Sequence, residues 1–282
     1  MNPFQKFVSA HAKLFQSAKK LPLGLSRKPR SVLSRNAPSA LIFSPHPDDE
    51  CIVGALALRL LREAKWNVTN VAVTLGGRQV RREARLRELK NACDCLGFDL
   101  IVAGLGQINL ETRKKNRASW NPAVKIIANI LSKQSPRVIF LPHQNDVHPK
   151  HVGTHFLVLD ALKSLPKNFQ CFVVETEFWG QMTDPNLLVE SGVEDAAGIV
   201  AALACHVGEV RRNPYHARLP AWMMDNVRRG AEIVGGQGGA APDFTFGTIY
   251  RLRKWSRGRL AEVRHGGRLL PRAKNAARLF RY

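Results

Sequence analysis

Residues 44–50 read Ser-Pro-His-Pro-Asp-Asp-Glu and place one imidazole and three carboxylates side by side. His46 and Asp49 are of the types that bind a divalent metal, with Asp48 as a base beside them. Adjacent side chains point different ways, so one of the two aspartates can stay off the metal. A second polar stretch carries His143, Asp146, His148, His151 and His155. A hydrolytic zinc site takes three protein ligands of the His, Asp or Glu kind and keeps a position for water. A carboxylate off the metal takes the water's proton, and a nearby imidazole stabilises or protonates what forms. His46, Asp48, Asp49, His148 and His151 supply those parts if the two stretches converge. Helix capping alone would account for Asp48, Asp49 and Glu50, since acids favour a first turn. It does not account for His46 or for the second stretch, which alone would be a polar surface turn. Glu50 is read as the helix-start residue, and the isolated His206 and His216 are read as structural.

Convergence depends on the elements that carry these loops. An apolar run at 40–43 precedes the first loop and a helical pattern from 51 to 63 follows it. Residues 68–75 read as a β-branched strand stopped by Gly76 and Gly77, and 80–96 as a helix ending at Gly97. Strands at 99–103, 137–141 and 171–174 alternate with helices at 122–133 and 151–162, and 184–204 holds a further helix. The alternation predicts an α/β protein with a parallel sheet covered on both faces. Both polar loops follow a strand and precede a helix. If the first and fourth strands are neighbours, both loops open on one carboxyl edge. Residues 235–239 (Gly-Gly-Gln-Gly-Gly) lack the Lys-Ser/Thr ending of a phosphate loop and read as a connector.

The chain of 282 residues has a formal net charge of +21, unevenly placed. Residues 1–47 carry 8 Lys and Arg with no acid, and 250–282 carry 11 with only Glu262, so the ends supply +18. Residues 3–20 form an amphipathic basic helix with Phe4, Phe7, Val8, His11, Leu14 and Phe15 at helical spacing. Such a helix lies on an anionic membrane, packs its stripe on the domain, or is a transit peptide. Residues 21–38 are a Pro-containing linker, which leaves 39–250 as the main domain and 251–282 as a basic segment packed on it or extending from it. Five cysteines without metal spacing read as reduced thiols of a cytosolic protein. No apolar run is long enough to span a bilayer, and no signal peptide is legible.

Three segments in order resemble the PIG-L/LmbE-like family of zinc-dependent de-N-acetylases. Residues 46–50 match its His-Pro-Asp-Asp-Glu segment, and His148 to His151 its His-x-x-His segment. Arg85, Glu88, Ala92, Leu96 and Gly97 match its intervening helix. The resemblance implies a Rossmann-like three-layer α/β/α fold with a mostly parallel sheet. It implies that His46, Asp49 and His151 hold Zn2+, with Fe2+ an alternative for the same ligands. It assigns Asp48 as general base, His148 as oxyanion stabiliser or acid, and Arg85 to substrate binding. The implied reaction removes acetyl from an N-acetylglucosamine-type conjugate. Lys150 departs from the aspartate common between the two histidines, which leaves Asp146, Glu175 or Glu177 to orient His148. A different class of reading is a non-catalytic protein whose basic ends bind nucleic acid or an anionic membrane. The preferred expectation joins the two: a cytoplasmic deacetylase brought to a membrane or polyanion by its ends, with no specific nucleic acid and the oligomeric state open.

Overall fold

Alternating apolar side chains divide the core between two faces of one sheet. Ala40 and Ile42 pack on one side, while Leu41 and Phe43 pack on the other, all four 2% exposed or less. A strand buried on both faces reads as a continuous apolar run, as at 40–43. The computed structural model describes residues 2–24, 33–34, 36–263 and 265–281. Much of the expected linker, 25–32 and Arg35, lies outside the described residues.

In chain order the elements are α1 (Pro3–Ala18), β1 (Ser39–Ser44), α2 (Asp49–Ile52), α3 (Ala55–Ala64), β2 (Asn67–Ala72), α4 (Arg82–Leu96) and β3 (Asp99–Val102). There follow α5 (Leu110–Lys115), α6 (Arg117–Gln134), β4 (Val138–Pro142), α7 (Pro149–Lys163), β5 (Cys171–Thr176) and β6 (Leu187–Ser191). Then come α8 (Val193–Leu203), α9 (Val207–Arg212), α10 (Tyr215–Ile233), β7 (Phe246–Ser256), β8 (Arg259–Glu262) and β9 (Arg268–Leu270).

The sheet order is β3-β2-β1-β4-β5-β7-β6-β9, with β8 paired to β7. β3, β2, β1, β4 and β5 are mutually parallel, and β7 runs antiparallel between β5 and β6. Residues of α3, α4, α8 and α10 pack on one face. Residues of α6 and α7 pack on the other. This is the three-layer, mostly parallel α/β/α architecture expected. The order reverses between β1 and β4, whose registers include Ala40 opposite Val138 and Ile42 opposite Phe140. That switch point is where an open α/β sheet leaves a crevice beyond its carboxyl ends.

Several expectations shift. The stretch 184–204 contains β6 before α8, because the short run 187–189 is strand rather than the start of the helix. Asn116 caps α6 by accepting from the Ser119 N–H, so that helix starts five residues before Pro122. The C-terminal basic segment is not a surface tail. β7 crosses the boundary drawn at 250 and alternates Arg251 and Arg253 with buried Tyr250 and Leu252. Arg253 pairs with Glu175 at 2.6 Å, and Arg251 with Asp184 and Glu262. Arg59 on α3 is wholly buried and donates to the carbonyls of Glu190, Leu270, Pro271 and Lys274, which ties the end of the chain to the core. The basic α1 forms as expected, yet Phe4, Phe7, Val8 and Leu14 are 64–76% exposed. Its end touches the domain, where Arg218 of α10 lies 4.8 Å over the Phe15 ring. No disulfide joins any of the five cysteines. No helix among the described residues is long and apolar enough to cross a membrane.

Candidate metal and hydrolytic site

The loop from β1 to α2 is pinned from outside. Thr74 Oγ1 donates to the Pro45 carbonyl at 2.7 Å, and Arg85 Nη2 to the Pro47 carbonyl at 3.1 Å. Asp48 then turns through φ = 114°, a left-handed conformation that strains a residue with a Cβ. The turn sends Asp48 and Asp49 in different directions. Asp49 Oδ2 accepts the His46 backbone N–H at 2.8 Å and lies 3.4 Å from His46 Nδ1.

β4 delivers the second loop beside the first. His151 Nε2 lies 3.2 Å from His46 Nδ1 and 3.4 Å from Asp49 Oδ2. Three donors each about 2.0–2.1 Å from a tetrahedral ion stand about 3.3 Å apart, so this triangle has the edge lengths of a zinc ligand set. Burial alone would raise Asp49, but His151 and His46 outweigh it and hold the carboxyl below its usual range. His151 is pushed down by burial and, more strongly, up by Asp49 and Asp146. The carboxylates therefore hold a positive charge at this imidazole cluster, be it proton or metal ion. Behind His151, Asp146 Oδ1 stands 3.6 Å from Nδ1, an ion-pair separation too long for a hydrogen bond, on the side from which a carboxylate steadies a metal-binding imidazole. Asp146 is itself fixed by backbone N–H groups of His148, Trp179 and Gly180 at 2.8–3.3 Å.

His148 caps α7. Its Nδ1 accepts the Lys150 N–H at 3.2 Å, which leaves the proton of the neutral ring on Nε2. Burial, with His46 and His151 nearby, lowers its pKa to about 4. The ring is thus a neutral hydrogen-bond donor near pH 7. One nitrogen from each of His46, His148 and His151 can be drawn within 4.8 Å of the others, but the cap engages Nδ1 of His148, whereas Asp49 completes the tighter triangle.

Of the three expected orienters of His148, Asp146 does hold it, through the backbone N–H at 2.8 Å, while the two glutamates are engaged elsewhere. Glu175 pairs with Arg253, Glu177 takes a two-pronged pair from Arg229 at 2.8 and 2.9 Å, and Asp146 serves His151. The cap, not an acid, holds the His148 ring. Glu50 also departs from expectation. It does start α2, but its carboxylate is 1% exposed and meets His206 Nε2 at 2.6 Å. Its other oxygen accepts the Asp48 N–H at 3.0 Å. His206 is therefore the buried partner that steadies the strained turn. Burial and the Asp49 charge lift the Asp48 carboxyl well above its usual range, which makes it a stronger base.

A cleft of about 480 Å³ opens over these groups, walled by Arg78, Arg81, Arg85, Lys150, Arg212 and Tyr215 among others. Arg85 reaches the cleft as expected, though one of its nitrogens is spent on the Pro47 carbonyl. Trp179 and Tyr215 stack edge to face at 5.6 Å on the outer wall. Glu209, Arg212 and Tyr215, which lie between the two histidines read as structural, also line the cleft. His216 is buried off the cleft. Residues 235–239 lie beyond the end of α10 opposite Tyr215, as a connector.

The family described as PIG-L: GlcNAc-PI de-N-acetylase matches residues 41–162. The matched segment runs from β1 to α7 and holds both loops and Arg85; the wall from Trp179 to Tyr215 lies outside it. A probable N-acetyl-alpha-D-glucosaminyl L-malate deacetylase 2 of Bacillus cereus is 31% identical over 140 residues, 45% of this chain and 62% of that protein. Its Bacillus anthracis counterpart is 31% identical over 151 residues, 48% and 63% respectively. The chain thus spans less than two thirds of either relative. Among solved structures, the N,N'-diacetylchitobiose deacetylase of Pyrococcus horikoshii superposes with a TM-score of 0.57 at 16% identity, over 89% of this chain and 93% of that one. The zinc-inhibited form of a teicoplanin deacetylase gives 0.55 at 16%, over 77% and 98%. The 4-carboxy-2-hydroxymuconate hydratase of Pseudomonas putida gives 0.57 at 15%, over 77% and 96%. A hydratase and two deacetylases share this fold, so the reaction must be argued from the site.

Proposed function

We propose that the protein is a metal-dependent hydrolase that removes acetyl from an N-acetylated amino sugar conjugate. The observation that carries this reading is the triangle of His46 Nδ1, Asp49 Oδ2 and His151 Nε2, with edges of 3.2–3.4 Å, set beside Asp48 and His148. His46, Asp49 and His151 would hold Zn2+, with Fe2+ an alternative. A divalent ion there supplies Lewis acidity, polarising a carbonyl and lowering the pKa of a water. The Asp48 carboxylate takes the proton of the attacking water and passes it towards the departing amine. His148 donates from Nε2–H to the oxygen that gains charge as the acetamide carbonyl is attacked. Asp146 keeps the His151 ring in place, and the Glu50–His206 pair keeps Asp48 in its turn. The names of the Bacillus relatives and of the chitobiose deacetylase support an acetylated glucosamine as the acyl donor.

Acetate release from a panel of N-acetylglucosamine conjugates tests the reading. Metal-loaded protein should release acetate, and chelation should stop it. Loaded protein that spares every conjugate would sink the proposal.

A second property has its own observation. The exposed Phe4, Phe7, Val8 and Leu14 share one face of α1 while Lys6 and Lys13 lie opposite, the pattern of a helix resting on an anionic membrane. Sedimentation with anionic vesicles should fall when residues 1–20 are deleted; unchanged sedimentation would contradict this role.

A further inference from the structure

Cations crowd the cleft where local electrostatics disfavours them. Arg78, Arg81, Arg82 and Arg85 recur at three- and four-residue spacing into the first turn of α4, so like charges face one another. A helix N-terminus is positive and favours acids, yet α4 begins on Arg82, and the one acid of its first turn, Glu83, points to solvent beside Arg87. α7 has no acid in its first turn and carries Lys150 there. Lys150 is also the position at which the chain departs from the family's usual aspartate.

These groups meet. A Cβ built on Gly77 would lie 4.0 Å from Lys150 Nζ, which puts the lysine beside the Gly77–Arg78 turn. The side-chain charges acting on Lys150 are those of Arg85 and Arg82. Glu209 answers Arg81 at 3.2 Å, Arg85 at 3.7 Å and Arg212 at 2.5 Å. Among the described residues no carboxylate stands within ion-pair distance of Arg78 or Lys150. The Nε atoms of Arg82 and Arg85 are buried and without a partner. The cleft lining holds five cations against three carboxylates, and two of those are Asp48 and Asp49 of the metal loop.

We propose that Arg78 and Lys150, backed by Arg81, Arg85 and the N-termini of α4 and α7, form a subsite for an oxyanion carried by the substrate. The sugar part of this inference rests on the deacetylase reading; the anion subsite does not. The group is a phosphate or a carboxylate on the aglycone, placed while the acetamide lies at the metal triangle. Arginine and lysine at a helix N-terminus match such oxygens in charge and in donors. The charge repulsion built into the cleft is relieved when that group binds.

The test compares acetate release by zinc-loaded protein from three N-acetylglucosaminides: one with a phosphate on its aglycone, one with a carboxylate, and the uncharged methyl glycoside. The expected kcat/KM is at least about tenfold higher for the charged pair, with the lead shrinking in high salt. The better of the two charged conjugates names the oxyanion. In the double variant Arg78→Gln, Lys150→Gln the ratio of charged to uncharged should fall about tenfold. Its thermal midpoint should hold or rise, since repulsion is removed. Equal kcat/KM for charged and uncharged conjugates, or a ratio unmoved by the double variant, would overturn the subsite. If no conjugate yields acetate, inorganic phosphate binding to the same two proteins decides. Binding about tenfold weaker in the double variant keeps the subsite and removes the deacetylase reading; equal binding removes the subsite too.

Discussion

Asp48 shows how a single residue can trade stability for chemistry. Its φ of 114° and its buried carboxyl beside Asp49 both work against the fold. Asp48→Gly should therefore raise stability by about 1 kcal/mol while turnover is lost and metal content is kept. Urea unfolding with metal analysis checks this; a less stable variant would mean that the turn is not strained. Glu50 acts in the opposite sense. Removing its charge leaves His206 buried without its counter-ion, so Glu50→Gln should cost about 3 kcal/mol. Adding His206→Gln should cost less than its own single effect, which a double-mutant cycle measures. Strict additivity would mean that the two do not act as a pair. The base and the ligands were legible because they are packed into two short runs, 46–49 and 148–151. The Glu50–His206 contact was not, because 156 residues separate the partners and nothing near His206 marks it.

At the scale of elements, α7 carries the chemistry on its first turn and a pH-sensitive core further along. His155 is wholly buried, donates from one ring nitrogen to the Pro142 carbonyl at 2.9 Å, and has its pKa lowered by burial to about 4. Unfolded, it would titrate near 6.5, so below that pH the unfolded chain binds a proton that the folded chain refuses. Stability should therefore fall as pH drops from 6.5 towards 4, with His155 contributing about 2 kcal/mol of loss between pH 7 and pH 5. In urea titrations at those two values, His155→Gln should lose less than the parent. An equal loss would place the acid sensitivity elsewhere. The first five strands and most helices between them could be read from apolar runs and their stops, but not the short, charged α5 or the first turn of α6. β6 could not, since its run merges with the helix that follows. β7 was hidden because its alternate residues are Arg and Lys, and only the pairing of Arg253 with Glu175 and of Arg251 with Asp184 and Glu262 lets a basic strand lie inside the sheet.

At the scale of the molecule, the even division into a neutral core and two basic flanks gives way to an asymmetric one. The C-terminal flank is structural: ending the chain at 250 would halve β7, strip partners from β5 and take three carbonyl acceptors from the buried Arg59. That truncation should yield insoluble or unfolded protein, whereas deletion of residues 1–20 should leave a folded domain, since no residue of α1 is buried. Circular dichroism and thermal melts of the two truncations check the contrast, and a folded 1–250 fragment would contradict it. The charge count alone could not separate the two ends, because it does not say which cations already have partners. The central claim is that three side chains hold the metal while Asp48 works beside it. The most direct test measures zinc content and acetate release together in Asp48→Asn and Asp49→Ala. The account predicts zinc kept and turnover lost in Asp48→Asn, and both lost in Asp49→Ala. Zinc lost from Asp48→Asn, or full acetate release by either variant, would contradict it.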